Sequence, residues 1–198
     1  MNRLRLVVAL VLLTPAAVRA QPVGRNIAVF ETIAGIAGVT PVHIDAGNRH
    51  GVHAGVRADA GLQGARVAFG VGARVWQLKS TQEFGGAGID GFVLGEVRLG
   101  TSTRTAIRAT AGWGFDEIDE GHGSSQLSAG ASGATWSFGI GRELVAPSGS
   151  LVILSADLIV PSVDGGVGRR RPVLEFGAGF RFRATQSIGP ISPRAARR

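Results

Sequence analysis

Charged side chains recur at every second position in several stretches of the sequence, with apolar residues between them. In residues 173–183, Glu175, Arg181 and Arg183 share one side with glycines, while leucine, alanine and phenylalanine occupy the other. A charge that is removed from water must be paired with an opposite charge. We therefore predict a mixed-sign network of buried ion pairs. Its members are Arg57, Asp59, Arg74, Glu96, Arg98, Arg108, Asp157, Glu175, Arg181 and Arg183, with Glu31 and Asp90 as further candidates.

A second kind of chemistry is indicated by His122 and Ser124, which lie in the acidic segment at residues 115–125. A serine nucleophile needs a nearby base and an acid that orients the base, and Glu143 is a conceivable acid. The His-x-Ser pattern is similar to that of the outer-membrane lipid A deacylases, in which an asparagine follows, whereas Ser125 follows here. Because glycines flank the histidine, a solvated loop is the preferred interpretation, and the hydrolase is an alternative.

Possible metal ligands are concentrated near the first long connection, where His43, Asp45, His50 and His53 occur. Their spacing does not place three ligands on one face of a regular element, so exposed or hydrogen-bonded histidines are preferred over a metal site. The acidic residues of 115–125 would attract a divalent cation that bridges lipopolysaccharide phosphates, but a run of charge is more often simply solvated. No metal and no cofactor are predicted.

The elements that must position these residues are strands, because the apolar residues repeat with a period of two. Eight are predicted, at 26–38, 52–62, 67–75, 89–99, 105–113, 127–141, 151–160 and 173–183. Short turns alternate with long connections at 39–51, 79–88, 115–125 and 161–171. This is typical of an all-β fold, an eight-stranded antiparallel up-and-down transmembrane β-barrel with the apolar sides on lipid. Its interior is only wide enough for side chains to fill, which predicts a plugged lumen.

Two of the predicted strands carry a less regular pattern. In 26–38 the apolar, lipid-facing side is predicted to hold Ala28, Phe30, Thr32, Ala34 and Ile36, with Glu31 on the other side. In 127–141 the apolar residues change side near Ser132, which predicts a β-bulge that the following glycine permits.

The ends and the composition of the chain indicate export. Residues 1–20 have two arginines before a short apolar run and a Val-Arg-Ala ending, which predicts a signal peptide cleaved after Ala20. Removing its three arginines from the 21 basic residues leaves 18 against 14 acidic ones, a net charge of about +4 that does not indicate nucleic-acid binding. The chain has no cysteine, which excludes disulfides and thiolate chemistry. Residues 21–183 are predicted to form the barrel and 184–198 a disordered basic tail.

Three stretches, GVHAGVRADAG at 51–61, VAFGVGARV at 67–75 and VLEFGAGFRF at 173–182, resemble the small OmpA-like or OmpX-like outer-membrane β-barrel domains. The resemblance implies short periplasmic turns, longer external loops and a monomer that lies in outer-membrane lipid beside lipopolysaccharide. It also implies insertion by the barrel-assembly machinery. Aromatic residues are expected at the edges of the lipid layer, and the candidates are Trp113, Trp136, Phe176, Phe180 and Phe182.

The function predicted from these features is non-enzymatic. It is that of an integral outer-membrane barrel with a charge-plugged lumen and a role in envelope structure or surface interaction. The alternatives are the lipid A deacylase-like hydrolase and a secreted soluble β-barrel that binds a small apolar ligand. The charged sides of the strands argue against the last, because the interior of such a carrier should be apolar.

Overall fold

The chain closes into a barrel of eight long antiparallel strands. The computed structural model describes residues 27–44, 47–80, 84–100, 104–120, 127–162, 169–170 and 172–185. The strands are β1 (Ala28–Ile44), β2 (Gly47–Gln63), β3 (Val67–Lys79), β4 (Phe84–Arg98), β5 (Thr105–Glu120), β6 (Leu127–Val145), β7 (Leu151–Ser162), β8 (Arg169–Arg170) and β9 (Val173–Thr185). Each long strand pairs with the next, and β9 pairs with β1, which closes the barrel. The two-residue β8 pairs with β1 only. Among the described residues, no helix is long and apolar enough to cross a membrane.

The strands are longer than the sequence pattern predicts. They include most of the predicted loop at 39–51 and parts of those at 79–88, 115–125 and 161–171. β1 and β2 stay paired from Ala28 opposite Gln63 to Ile44 opposite Gly47, so residues 39–51 continue the hairpin apart from 45–46, which lie outside the described residues. The predicted irregular loop at 39–51 was therefore wrong, and the other three long connections are shorter than predicted where they are described. The sequence pattern did not reveal the extensions because, beyond the apolar band, outward residues such as Gln77 and Glu117 are polar while inward residues such as Leu78 and Ile118 are apolar. The connections β1–β2, β3–β4, β5–β6 and β7–β9 all lie at the same end of the barrel, which we call the arm end.

The opposite end of the barrel, which we call the turn end, has short connections at 64–66, 99–104 and 146–150. The last is a tight turn, as predicted, in which the Ala146 N–H donates to the Ser150 carbonyl at 2.9 Å. Gly149 adopts a φ of 84°, which glycine reaches without steric cost.

The predicted bulge in β6 is absent. β5 and β6 pair without interruption from Thr105 opposite Arg142 to Glu120 opposite Leu127. Ser132 and Trp136 are exposed and Gly133 and Thr135 are buried, so one side faces outward throughout. The prediction failed because the alanines and glycines before Ser132 fit either side and do not report which one is apolar.

The predicted sides of β1 are reversed. Phe30 and Ile36 are buried in the lumen at 0% and 4% exposure, while Ile33 and Val39 face outward. Glu31 is on the outward side and does not belong to the lumen. Phe30 fits inside because it lies opposite Gly61. The outward side carries its own apolar residues, so the strand has no clear polar face in sequence.

Candidate functional site

The lumen near the turn end is organised around Arg181 of β9. Its two terminal nitrogens bind the two carboxylate oxygens of Glu96 on β4, each at 2.8 Å, and one of them also reaches Glu143 at 3.1 Å. Its Nε donates to the Thr32 hydroxyl at 3.0 Å, and its guanidinium lies 4.6 Å from the ring centre of Phe30. Bidentate contacts of this kind are the strongest arginine–carboxylate pairs. Arg181 therefore connects strands on opposite sides of the barrel.

Glu143 accepts contacts from two further arginines at the mouth of the turn end. Arg98 approaches it at 3.3 Å, and Arg183 also pairs with it. Arg183 in addition donates from Nε to Gln63 at 2.8 Å. The side chains of both arginines are 24% exposed, whereas that of Glu143 is 7% exposed, so these two pairs form the solvent-facing edge of the network.

The next layer of the lumen contains two arginines and three carboxylates. Arg57 lies 3.0 Å from Asp157 and 3.4 Å from Asp59. Arg108 lies 3.2 Å from Glu96 and 3.8 Å from Asp157. All five are buried, and each carboxylate is shared between cations on different strands. The layer is thus a continuous network rather than a set of separate pairs.

Toward the arm end the network continues through Arg74. Its Nε and Nη2 both lie 2.8 Å from Asp90, and its Nη1 lies 3.6 Å from Glu175. Glu175 also contacts Nε2 of His53 at 3.2 Å, and Nδ1 of His53 is 2.8 Å from the Thr40 hydroxyl. This chain of contacts leads from β1 to β4 through the middle of the barrel.

An apolar cluster lies beyond these charges at the arm end. It consists of Trp76, Leu78, Phe84 and Ile118, all buried. Trp76 packs edge-on against His53, with 6.4 Å between ring centres. Because these side chains come from β3, β4 and β5, the cluster covers one side of the lumen above Arg74.

The large lumen side chains fit because glycines on the adjacent strands leave room for them. In each case a Cβ added to the glycine would collide with the side chain. The pairs are Trp76 over Gly88, Phe92 over Gly72, Asp90 over Gly114, Asp157 over Gly139 and Arg108 over Gly141. Protein interiors are packed closely, so even one added carbon would displace these groups.

The outer face of the barrel carries an apolar band, which Arg142 of β6 interrupts near the turn end. On β3 the outward residues from Val67 to Val75 are apolar, and Gln77 and Lys79 follow. On β5 the band ends before Glu117. About nine residues per strand match the length that crosses the hydrocarbon layer at a tilt. The five candidate interface aromatics, Trp113, Trp136, Phe176, Phe180 and Phe182, all face outward and are 47–63% exposed.

The structure brings all ten predicted charged residues, together with Asp90, to one lumen. Glu31 is excluded because it faces outward. Sequence reasoning missed His53 and Glu143 as members of the network. Both lie at inward positions in the alternation of their strands. Following the alternation of Arg57 and Asp59 back along β2 would have predicted that His53 faces the lumen.

The hydrolase and metal alternatives find no support in the described residues. His122 and Ser124 lie outside them, but β6 runs from the connection that carries both residues to Glu143 near the turn end. Glu143 itself is described, and it pairs with Arg98, Arg181 and Arg183. His50 is exposed and His53 is buried, and no group of three metal ligands occurs in the described part of the chain. Asp45 and the His43 side chain lie outside it.

Inward charges, an outward apolar band and a closed antiparallel sheet define a transmembrane β-barrel, and its fold is that of the small OmpA-like and OmpX-like outer-membrane barrels. Neisserial surface protein A superposes with a TM-score of 0.50 at 17% identity, covering 78% of this chain and 95% of that one. Ail, the attachment invasion locus protein of Yersinia pestis, superposes with a TM-score of 0.52 at 14% identity, covering 80% and 100%. No protein-family model and no curated protein matches the sequence.

Proposed function

We propose that this protein is a non-enzymatic integral outer-membrane barrel whose lumen is closed by ion pairs. The observation that supports the closure is the bridge from Arg181 to Glu96 and Glu143, which spans the barrel beside the buried Arg57 and Arg108 layer. An ion that passes through would have to break several buried pairs at once, and leaving a buried charge unpaired is costly. An open aqueous channel occurs in barrels of 16–18 strands rather than eight.

In this proposal the turn end lies in the periplasm and the arm end faces outside. Short turns on the periplasmic side and longer connections outside are the usual arrangement of such barrels. The extended β1–β2 and β5–β6 hairpins then project beyond the lipid layer beside lipopolysaccharide, where they serve envelope structure or surface interaction. Export requires the signal peptide at residues 1–20, and insertion uses the barrel-assembly machinery.

Fractionation tests the location. The full chain, expressed in a Gram-negative host, is expected in the outer-membrane fraction, with a faster gel mobility before boiling than after. The mature amino terminus is expected at Gln21. Recovery as free periplasmic protein would overturn the proposal.

A planar bilayer measurement tests the closed lumen. The inserted wild-type protein is expected to give no steady ion current, because an ion would have to break the buried pairs between Arg181, Glu96 and Glu143. An Arg181→Ala variant that still inserts is expected to be the leakier of the two. Steady current through the wild type would contradict the plug and leave the location unaffected.

A further inference from the structure

The outer face of the barrel has a groove where β7, β9 and β1 meet. Its exposed lining is Leu154, Phe176 and Ala178 together with Gly35 and Ala37, and its volume is about 500 Å³. The less exposed residues between them, Ile36, Gly55, Ser155 and Gly177, complete the lining. It is a wide, open depression in the outer face rather than an enclosed cavity, and its lining is mostly apolar. We call it the outer groove.

The strand register explains the groove. Gly35 lies opposite Ala178, and Ala178 lies opposite Leu154, so two adjacent outward positions carry almost no side chain. The next outward residue of β1 after Gly35, in the direction of the arm end, is Ala37, which lies opposite Phe176. The large phenylalanine therefore forms a wall beside a floor of small residues, and the groove extends from the level of Leu154 toward the middle of the apolar band.

One arginine adjoins this groove on the lipid-facing side. Arg142 of β6 is exposed on the outward face and lies directly opposite Leu154. Side chains at directly opposed positions have their Cβ atoms about 4.5–5.5 Å apart. Within the described part of the chain its guanidinium makes no hydrogen bond or ion pair. Its outward neighbours Ile140 and Leu144 are apolar and 49% and 40% exposed, so an unpaired cation is set into the apolar surface near the turn end.

We propose that Arg142 and the outer groove bind one glycerophospholipid, with the phosphate on the guanidinium and an acyl chain along the groove. A cation on the lipid-facing wall is costly unless its head reaches the interface, where phosphates lie. A guanidinium matches a phosphate in charge and in bidentate geometry. The groove leads away from Arg142 toward the bilayer centre, which is the direction an acyl chain takes from its headgroup. This inference rests on the proposed membrane location.

The test is native mass spectrometry of the full chain folded in detergent, with dipalmitoyl phosphatidylglycerol added in one arm and dipalmitoylglycerol, which has no phosphate, in the other. The wild type is expected to retain one phosphatidylglycerol and little diacylglycerol. Arg142→Gln is expected to weaken retention about tenfold or more, the loss of one charged contact. Ala178→Leu, which fills the groove and keeps the arginine, is expected to weaken it as well. Arg66→Gln removes an exposed cation from the β2–β3 turn at the same end and is expected to change nothing.

Boiled and unboiled gel mobility shows for every variant whether the barrel has folded, so loss of lipid is scored only on folded protein. Equal retention of phosphatidylglycerol by wild type and Arg142→Gln would overturn the site, as would equal retention of the two lipids by the wild type. A dimer mass without lipid would assign the groove to a second copy of the chain and would also overturn it. If the wild type inserts into vesicles yet retains no phospholipid, this inference fails and the proposed function stands; if it does not insert, both fail.

Discussion

On β9 the two faces of one strand differ as sharply as the interior and the surface of a water-soluble protein, but in the opposite sense. Glu175 and Arg181 point inward and are 1% and 3% exposed, whereas Phe176 and Phe180 point outward and are 56% and 53% exposed. The inner face depends on specific partners, because each charge needs an opposite charge at hydrogen-bond distance. Apart from the proposed phospholipid site at Arg142, the outer face needs only apolar surface, because most of the lipid chains around it have no defined partners. The two faces should therefore respond very differently to similar substitutions.

The largest effect is expected from removing the central cation of the inner face. Arg181→Ala leaves Glu96, Glu143 and Asp59 facing one another without it, and breaking a buried pair in this way costs about 3–5 kcal/mol. The measurement is urea unfolding of the barrel in lipid vesicles. Arg66→Ala, on an exposed turn, is the control and is expected to change stability by less than about 0.5 kcal/mol. Equal stability of the two variants would mean that the buried carboxylates do not depend on Arg181 as their partner.

The corresponding change on the outer face is to add a charge. Val93 is outward, 57% exposed and near the middle of the apolar band. Val93→Arg is expected to cost about 2–4 kcal/mol, because the guanidinium lies far from either interface, whereas Gln77→Arg at the edge of the band should cost about 0–1 kcal/mol. The same unfolding experiment compares them. If Val93→Arg is tolerated as well as Gln77→Arg, the outer face is not immersed in lipid.

A smaller contrast is expected from one added methyl group. In Gly72→Ala the added methyl group points inward and would collide with the ring of Phe92 and the carbonyl of Ala58. The expected cost in stability is about 1–3 kcal/mol. Gly91→Ala points outward, where nothing lies within 4 Å, and is expected to be neutral or to stabilise by about 0.4–1 kcal/mol. Thermal unfolding of the two variants in the same detergent distinguishes them. An equal loss in both would show that backbone conformation, not lumen packing, explains these glycines.

The smallest effect separates two phenylalanines. Phe30→Leu removes the aromatic face beneath Arg181 and is expected to cost about 1–2 kcal/mol, since a desolvated cation–π contact is lost. Phe180→Leu on the outer face exchanges one apolar group for another in lipid and is expected to cost less than about 0.5 kcal/mol. Denaturant titration of both variants gives the difference, and a larger loss for Phe180 would reverse the comparison.

Local alternation was sufficient to predict the strands and most of the lumen. Arg57, Arg74, Arg108 and Arg181 were assigned to the inner side from parity alone, and the structure places all four there. The same reasoning failed for Phe30, because β1 has apolar residues on both sides and only its register against Gly61 decides which side turns inward. It also ended β5 at Trp113, whereas the strand continues to Glu120, because outward residues beyond the apolar band, such as Glu117, are polar while the inward Ile118 is apolar.

The sequence by itself determined a closed barrel of alternating strands with charge on one side of the sheet, because a period of two is a local property of the backbone. Only the tertiary structure decided which carboxylate each arginine meets. Arg181 binds Glu96 across the lumen, 85 residues away in the chain, and Arg142 adjoins Leu154 outside it, and both neighbours depend on the stagger of strands around the closed sheet. No single strand carries that information, because stagger is fixed only when the last strand pairs with the first.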